Sequence, residues 1–342
     1  MNREETIKNF IKNNNLSDAQ MNILAADASF RKYFRLTKKD FTVVLMDAPP
    51  PQEDIKPFVN IAKHLKGLGL NAPEIIAEDE KNGLILLEDF GDDTYTKLLA
   101  KGENEKDLYR LAVDVLIELN KRPTKEATPE NIPSYDDDRF INEALLLTDW
   151  YMPALFKKPV TESVREEYIA LWKDALKKVR AIPESLVLRD YHVDNLMKVK
   201  NANGLKSCGL LDFQDGLKGP MIYDLMSLME DARRDIDQNL ISEMKARYLS
   251  AFDGQNDSTF IDLDDFDAAW AILGAVRHSK VIGIFTRLCV RDGKPNYLNH
   301  IPRVWKLLEN SLEHSALYQL KQWFNRNIPI NLRKIPNVRN PQ

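Results

Sequence analysis

VLRDYHVDNLM (Val187–Met197), followed shortly by LLDFQD (Leu210–Asp215), is the stretch on which the reading of this chain turns. SLVLRD (Ser185–Asp190) and SCGLLDF (Ser207–Phe213) read as two short strands. Asp190 and Asn195 then stand in the loop after the first strand, and Asp212 follows the second. One carboxylate so placed can orient an attacking hydroxyl and accept its proton. An amide oxygen and a second carboxylate can bind Mg²⁺, a hard cation that takes few oxygens from a protein. Together they suit phosphoryl transfer from a magnesium nucleotide. Any one of these residues alone is an ordinary turn former or helix cap. The ordered set carries the reading: strand, D-x-H-x-x-N, strand ending in Asp-Phe, then Tyr-Asp-Leu opening a helix.

On the N-terminal side, Thr6 to Asn13 reads as a short helix, and Ser17 followed by Gln20 fits a capping box for a second. FRKYFRL (Phe30–Leu36) and FTVVLMD (Phe41–Asp47) read as strands, the latter ended by Pro49, Pro50 and Pro51. Phe58, Ile61, Ala62 and Leu65 fall at helical spacing between Ile55 and Gly67. APEIIAEDE and GLILLEDF (Gly83–Phe90) form a hairpin pattern with Lys81-Asn82-Gly83 at the turn. Beyond Gly91 helices dominate: Leu108–Asn120, Asp137–Trp150, Glu162–Val179, Ile236–Phe252, Phe266–Cys289 and Ile301–Ser315. Strands first and helices afterwards give an α+β chain rather than regular βαβ alternation. We expect two lobes: residues 1–90, small, β-rich and nucleotide-binding, and residues 91–342, helical, catalytic and substrate-binding.

Composition narrows the function. The 342 residues are 44% hydrophobic and 29% charged, ordinary for a globular protein. With 48 basic and 52 acidic residues the net charge is −4, and no long Lys/Arg run occurs, so a nucleic-acid partner is not expected. Two distant cysteines, Cys208 and Cys289, exclude a disulfide framework and a four-Cys zinc site. AAWAILGAV stops at Arg277, and MNREETIKNF lacks an apolar signal core. We expect a cytoplasmic protein with no membrane partner.

The catalytic-loop segment resembles the aminoglycoside phosphotransferase-like kinases, cousins of protein kinases, whose loop reads H-x-D-x-x-x-x-N with a metal-binding Asp on a later strand. The likeness runs from about Ala25 past Leu288. DASFRKYFR, VLMDAPPPQED, LLEDFGDDTY, RDYHVDNLM and VIGIFTRLCVRDGKPNYL look closest to the bacterial cell-wall sugar kinases, which phosphorylate the anomeric hydroxyl of N-acetylmuramate and N-acetylglucosamine. The resemblance implies a bilobal, protein-kinase-like fold and the use of ATP and Mg²⁺ on a sugar or amino sugar. It implies Asp190 as catalytic Asp and Asn195 and Asp212 as Mg²⁺ ligands. His192 would orient the loop and Asp224 would support it. Ser29 and Arg31 would meet the nucleotide phosphates, and Glu88 and Phe90 would flank the adenine.

Two positions depart from the family pattern. Leu188 stands where a His usually opens the loop motif, and Met46 stands where protein kinases carry the phosphate-binding strand Lys. Arg31, Lys32 or Arg35 is the expected substitute cation; strand alternation puts Arg31 and Arg35 on one face and Lys32 on the other. Glu53 is a candidate for the helix acid. For the acceptor, the lactyl carboxylate of N-acetylmuramate favours basic partners. Arg233, Arg277 and Lys280 are the candidates, with Arg277 and Lys280 three apart on one helical face. Two other functions share these features: an aminoglycoside phosphotransferase, which a polycationic acceptor would mark with a more acidic pocket, and a non-catalytic nucleotide-binding regulator, which would not need Asp190.

Overall fold

The computed structural model describes residues 2–26, 30–39, 41–253 and 262–338. Its contacts divide the chain into two compact units, Met1–Val115 with Asp190–Gly216, and Leu116–Arg189 with Leu217–Gln342. The expected boundary at 90/91 marks a change in secondary structure; these units follow packing and are a different division.

In the first unit five antiparallel strands form one sheet, β1 (Gln20–Ala26), β2 (Lys32–Lys38), β3 (Phe41–Asp47), β4 (Ile75–Asp79) and β5 (Leu84–Glu88), in the order β1-β2-β3-β5-β4. The period-2 alternation sorts their side chains. Phe34, Leu36, Val43, Leu45, Leu84 and Leu86 turn to the face closed by Ile7 and Phe10 of the Arg3–Asn13 helix. Tyr33, Met46 and Ile85 pair in register, as do Arg35, Val44 and Leu87, and therefore share the opposite face. The Lys56–Gly67 helix buries Phe58, Ile61, Ala62 and Leu65, the spacing seen in the sequence. Gly83 closes the β4–β5 hairpin at φ 63, and a Cβ there would strike the Ala48 carbonyl at 1.9 Å, so this position admits only glycine.

One expectation fails here. Ser17 and Gln20 do not cap a helix; Gln20–Ala26 is β1, in register with β2 from Gln20↔Thr37 to Ala26↔Lys32. A capping box is a local preference of about 1 kcal/mol, and the ladder that β2 offers outweighs it. The same unit contains the antiparallel pair β7 (Leu196–Lys198) and β8 (Cys208–Leu210), joined in register from Leu196↔Leu210 to Lys198↔Cys208.

Among its described residues the second unit is mostly helical and carries the antiparallel pair β6 (Glu184–Val187) and β9 (Leu217–Pro220). Its axis is the 30-residue helix Leu263–Asp292, started by Asp262 accepting from the N–H groups of Asp264 and Asp265 and stopped by Gly293 at φ 65. By length and apolar content this helix is able to cross a membrane, but 89% of its most apolar window is buried inside the protein. Gly283 lets it approach Leu146, whose carbonyl would lie 2.3 Å from a Cβ. The helix expected from Asp137 to Trp150 is α only to Ala144 and passes into a π-turn over Leu147–Tyr151 at that crowded point. The helices Tyr95–Ala100 and Tyr318–Asn327 were not expected.

Candidate active site

Strand β6 ends at Val187 and β8 at Leu210, so Asp190 and Asp212 both lie just beyond strand ends. Asp190, His192, Asn195 and Asp212 fall in the first unit. Asn195 ties them together. Its Nδ2 donates to the Asp190 carbonyl at 2.9 Å and approaches Asp212 Oδ2 at 3.4 Å, while its backbone carbonyl accepts from Leu211 N at 3.0 Å. His192 is buried, and its carbonyl accepts from Asn195 N at 2.9 Å. Tyr191 anchors the loop by donating to the Ala112 carbonyl at 2.8 Å. Asp212 has φ 57, a left-handed conformation that costs a non-glycine residue about 1–2 kcal/mol. Phe213 holds it there by stacking on Phe58 with ring centroids 5.0 Å apart. Burial, together with the nearby charge of Asp190, holds the Asp212 carboxyl above its ordinary value.

The opposite side of this cluster is supplied by β2 and the segment before it. Arg31 Nε donates to Glu53 at 2.8 Å, and its Nη2 lies 3.8 Å from Asp215. Only 13% of the Arg31 side chain and 12% of that of Glu53 are exposed, so this ion pair is an internal one. Tyr33 joins it by a hydrogen bond to Arg31; burial, followed by the Asp212 charge, pushes its phenol up to about 12. Arg35 is engaged elsewhere. It grips Asp89 with two bonds of 2.6 and 2.9 Å and also reaches Asp92 and the Gly91 carbonyl. Lys32 is exposed and points from the other face. Arg35 is thus spent on Asp89 and Asp92, and of the three candidate cations Arg31 is the one beside Asp212 and Asp215. Met46 is buried in β3 opposite Tyr33.

Glu88 is bonded to the Glu74 backbone, just before β4, its N–H donating at 2.9 Å and its side chain accepting at 3.1 Å. Phe90 is buried over Gly209, where a Cβ would meet its ring at 2.7 Å. Ser29 lies outside the described residues.

In the second unit Asp224, 2% exposed, accepts from Leu188 N at 2.6 Å and Arg189 N at 2.9 Å, the two residues preceding Asp190. These bonds help to hold Arg189 in its left-handed conformation at φ 69. Arg277 Nη1 donates to the Arg189 carbonyl at 3.2 Å, and the Arg189 guanidinium pairs with Glu143. Lys280 also binds Glu143, at 3.0 Å, and Tyr135 donates to it. Burial alone would raise the Glu143 carboxyl, but Lys280 and Arg189 more than offset this and hold it below the ordinary range. Arg277 and Lys280 are thus both buried and engaged inside the helical unit. Arg233 follows a tight turn in which its N–H donates to Asp231 at 2.8 Å, and its carbonyl accepts from Arg303.

A family model described as the phosphotransferase enzyme family matches residues 21–257. The chain belongs to the phosphotransferase enzyme family. This phosphotransferase is 38% identical over 292 residues to the N-acetylmuramate/N-acetylglucosamine kinase of Pseudomonas aeruginosa, covering 84% of this chain and 82% of the relative. It is 31% identical to the kinase of the same name from Caulobacter vibrioides, over 97% and 98% of the two chains. Among solved structures, a putative aminoglycoside phosphotransferase from Ralstonia eutropha superposes with a TM-score of 0.60 at 16% identity, covering 93% of this chain and 98% of that one. That likeness shows the fold, which is the bilobal kinase-like one expected.

Around these side chains the structure also gathers residues that the sequence did not single out. Tyr33, the second residue of β2, lies two positions after Arg31, which precedes the strand. Gln214, two after Asp212, donates to Asp212 Oδ1 at 2.8 Å and approaches Asp215 at 3.4 Å. Glu143 gave no local signal, because its partner Lys280 is 137 residues away. For a divalent cation the donor set is the amide oxygen of Asn195 and the carboxylate of Asp212, both hard oxygens. The buried Oε1 of Gln214 next to them has no partner. Among the described residues no cluster of three His, Cys, Asp or Glu is set to hold a metal alone. This fits Mg²⁺, which keeps waters and takes phosphate oxygens as ligands.

Proposed function

We propose that this phosphotransferase is a sugar kinase that moves the γ-phosphoryl group of ATP to the anomeric hydroxyl of N-acetylmuramate or N-acetylglucosamine. The observation that carries the reading is the loop in which Asn195 links Asp190 to Asp212, in a chain whose curated relatives, 31–38% identical, are kinases named for these two sugars. Asp190 is the catalytic residue. It holds the sugar hydroxyl and takes its proton as the oxygen–phosphorus bond forms and the bond to the β-phosphate oxygen breaks, releasing ADP. Asn195 and Asp212 would hold Mg²⁺, which when bound would supply charge neutralisation for the phosphates. Arg31, kept in place by Glu53 and Tyr33, takes the part of the absent strand lysine towards the nucleotide. Ser29, Glu88 and Phe90 line the nucleotide.

His192 and Asp224 position the loop. Asp224 does so by fixing the backbone before Asp190, and Arg277 adds a third bond to that backbone. Arg233 is the proposed acceptor contact. Arg277 and Lys280 serve the acceptor side indirectly, by holding Arg189 through its carbonyl and through Glu143. The test is a panel of acceptors with Mg·ATP: N-acetylmuramate, N-acetylglucosamine, glucosamine and kanamycin. Transfer to the two N-acetylated sugars, giving an acid-labile sugar phosphate, is the expected result. Transfer to kanamycin alone would replace the acceptor assignment and retain the reaction type.

A further inference from the structure

We propose that Gln214 is a positioning residue for the divalent cation, an inference that rests on the kinase reading above. Gln214 is 7% exposed, and its amide can be oriented in only one sense. Nε2 donates to Asp212 Oδ1 at 2.8 Å and approaches Asp215 Oδ2 at 3.4 Å. Turning the amide over would set its carbonyl oxygen against two carboxylates, acceptor against acceptor. The amide therefore occupies Oδ1 of Asp212 and leaves Oδ2, the oxygen beside Asn195 Nδ2, for the cation.

The second observation is the other end of the same amide. Gln214 Oε1 is buried and has no hydrogen-bond partner. Buried acceptors are nearly always satisfied, and an exception next to a functional carboxylate calls for a missing donor. Mg²⁺ retains several waters, each a strong donor, and such a water satisfies Oε1. Gln214 thus orients the carboxylate ligand on one side and accepts from the hydrated cation on the other. Partners that orient a metal ligand in this way commonly change metal affinity 10–100-fold when removed.

The test replaces Gln214 with Met, which keeps length and flexibility without polar atoms, and with Leu. Mn²⁺ binding is measured by the loss of its free electron paramagnetic resonance signal in the presence of ADP. ADP affinity in EDTA is measured alongside. We expect the Mn²⁺ Kd to rise about tenfold in Gln214→Met, with ADP affinity in EDTA unchanged and the Mg²⁺ concentration for half-maximal rate raised in parallel. Gln214→Leu should behave alike; if one variant fails to fold, the other decides. A Kd within about twofold of the parent in a folded variant, while Asp212→Asn abolishes Mn²⁺ binding, overturns the role of Gln214 and leaves the kinase reading standing. No Mn²⁺ binding by the parent protein with ADP overturns both.

Discussion

Replacing Glu143 by glutamine removes a carboxylate that two internal cations share. Its side chain is 12% exposed, that of Lys280 9% and that of Arg189 20%. Removing one partner of a buried pair costs about 3–5 kcal/mol, because the other charge is left uncompensated. The amide oxygen of E143Q still accepts a hydrogen bond, and Arg189 is partly solvated, so the lower end, about 3 kcal/mol, is expected. In a chain of this size that lowers the melting temperature by about 4 °C. The assay is thermal unfolding of parent and variant near neutral pH and again in acid. The sign follows from the depressed carboxyl: its contribution is fully present above the ordinary carboxylate range and is lost as pH falls through the lowered folded value. The two melting curves therefore converge in acid. Lys280→Met supplies the cycle, and the double variant should lose less than the two single losses together. Equal melting temperatures at neutral pH, or a gap that acid does not close, would refute the reasoning.

Further outcomes follow from the same geometry. Arg31→Met should raise the KM for ATP about tenfold or more, the value of a hydrogen bond to a charged group, while leaving the KM for sugar nearly unchanged in steady-state kinetics. Asp224→Ala leaves the N–H groups of Leu188 and Arg189 unsatisfied in a buried setting. A loss of about 1–3 kcal/mol in a urea titration is expected, with a fall in kcat larger than any change in KM. Gly283→Ala should unfold or severely destabilise the helical unit, since its Cβ would meet the Leu146 carbonyl; an unchanged melting temperature would contradict the close approach.

The parts of this fold legible in the sequence are those with a strong local period. FTVVLMD became β3, and the Phe58, Ile61, Leu65 spacing became a helix within one residue of the expected start. Asp190, Asn195 and Asp212 were legible because the loop chemistry keeps them close in sequence, and Asn195 does bridge the other two. Gln20–Ala26 was misread because its strand character comes from β2, not from its own residues. β8 falls inside the strand expected over Ser207–Phe213, whereas its partner β7 has only three registered residues, too few for a periodic signal. Glu143 with Lys280, and Asp224 with Leu188 and Arg189, join residues far apart in the chain, and no window along the sequence spans them. Met46 looked like a lost function at its own position; the cation among the acids, Arg31, stands before the neighbouring strand.

The most direct test of the account follows phosphate transfer from ATP to N-acetylmuramate in the parent protein and in Asp190→Ala, with ADP affinity measured in both. The account predicts an anomeric phosphate from the parent, a loss of rate of about 10²–10⁴-fold in the variant, and unchanged ADP affinity. Transfer that survives in Asp190→Ala at the parent rate, or a parent protein that binds nucleotide and phosphorylates neither sugar, would contradict it.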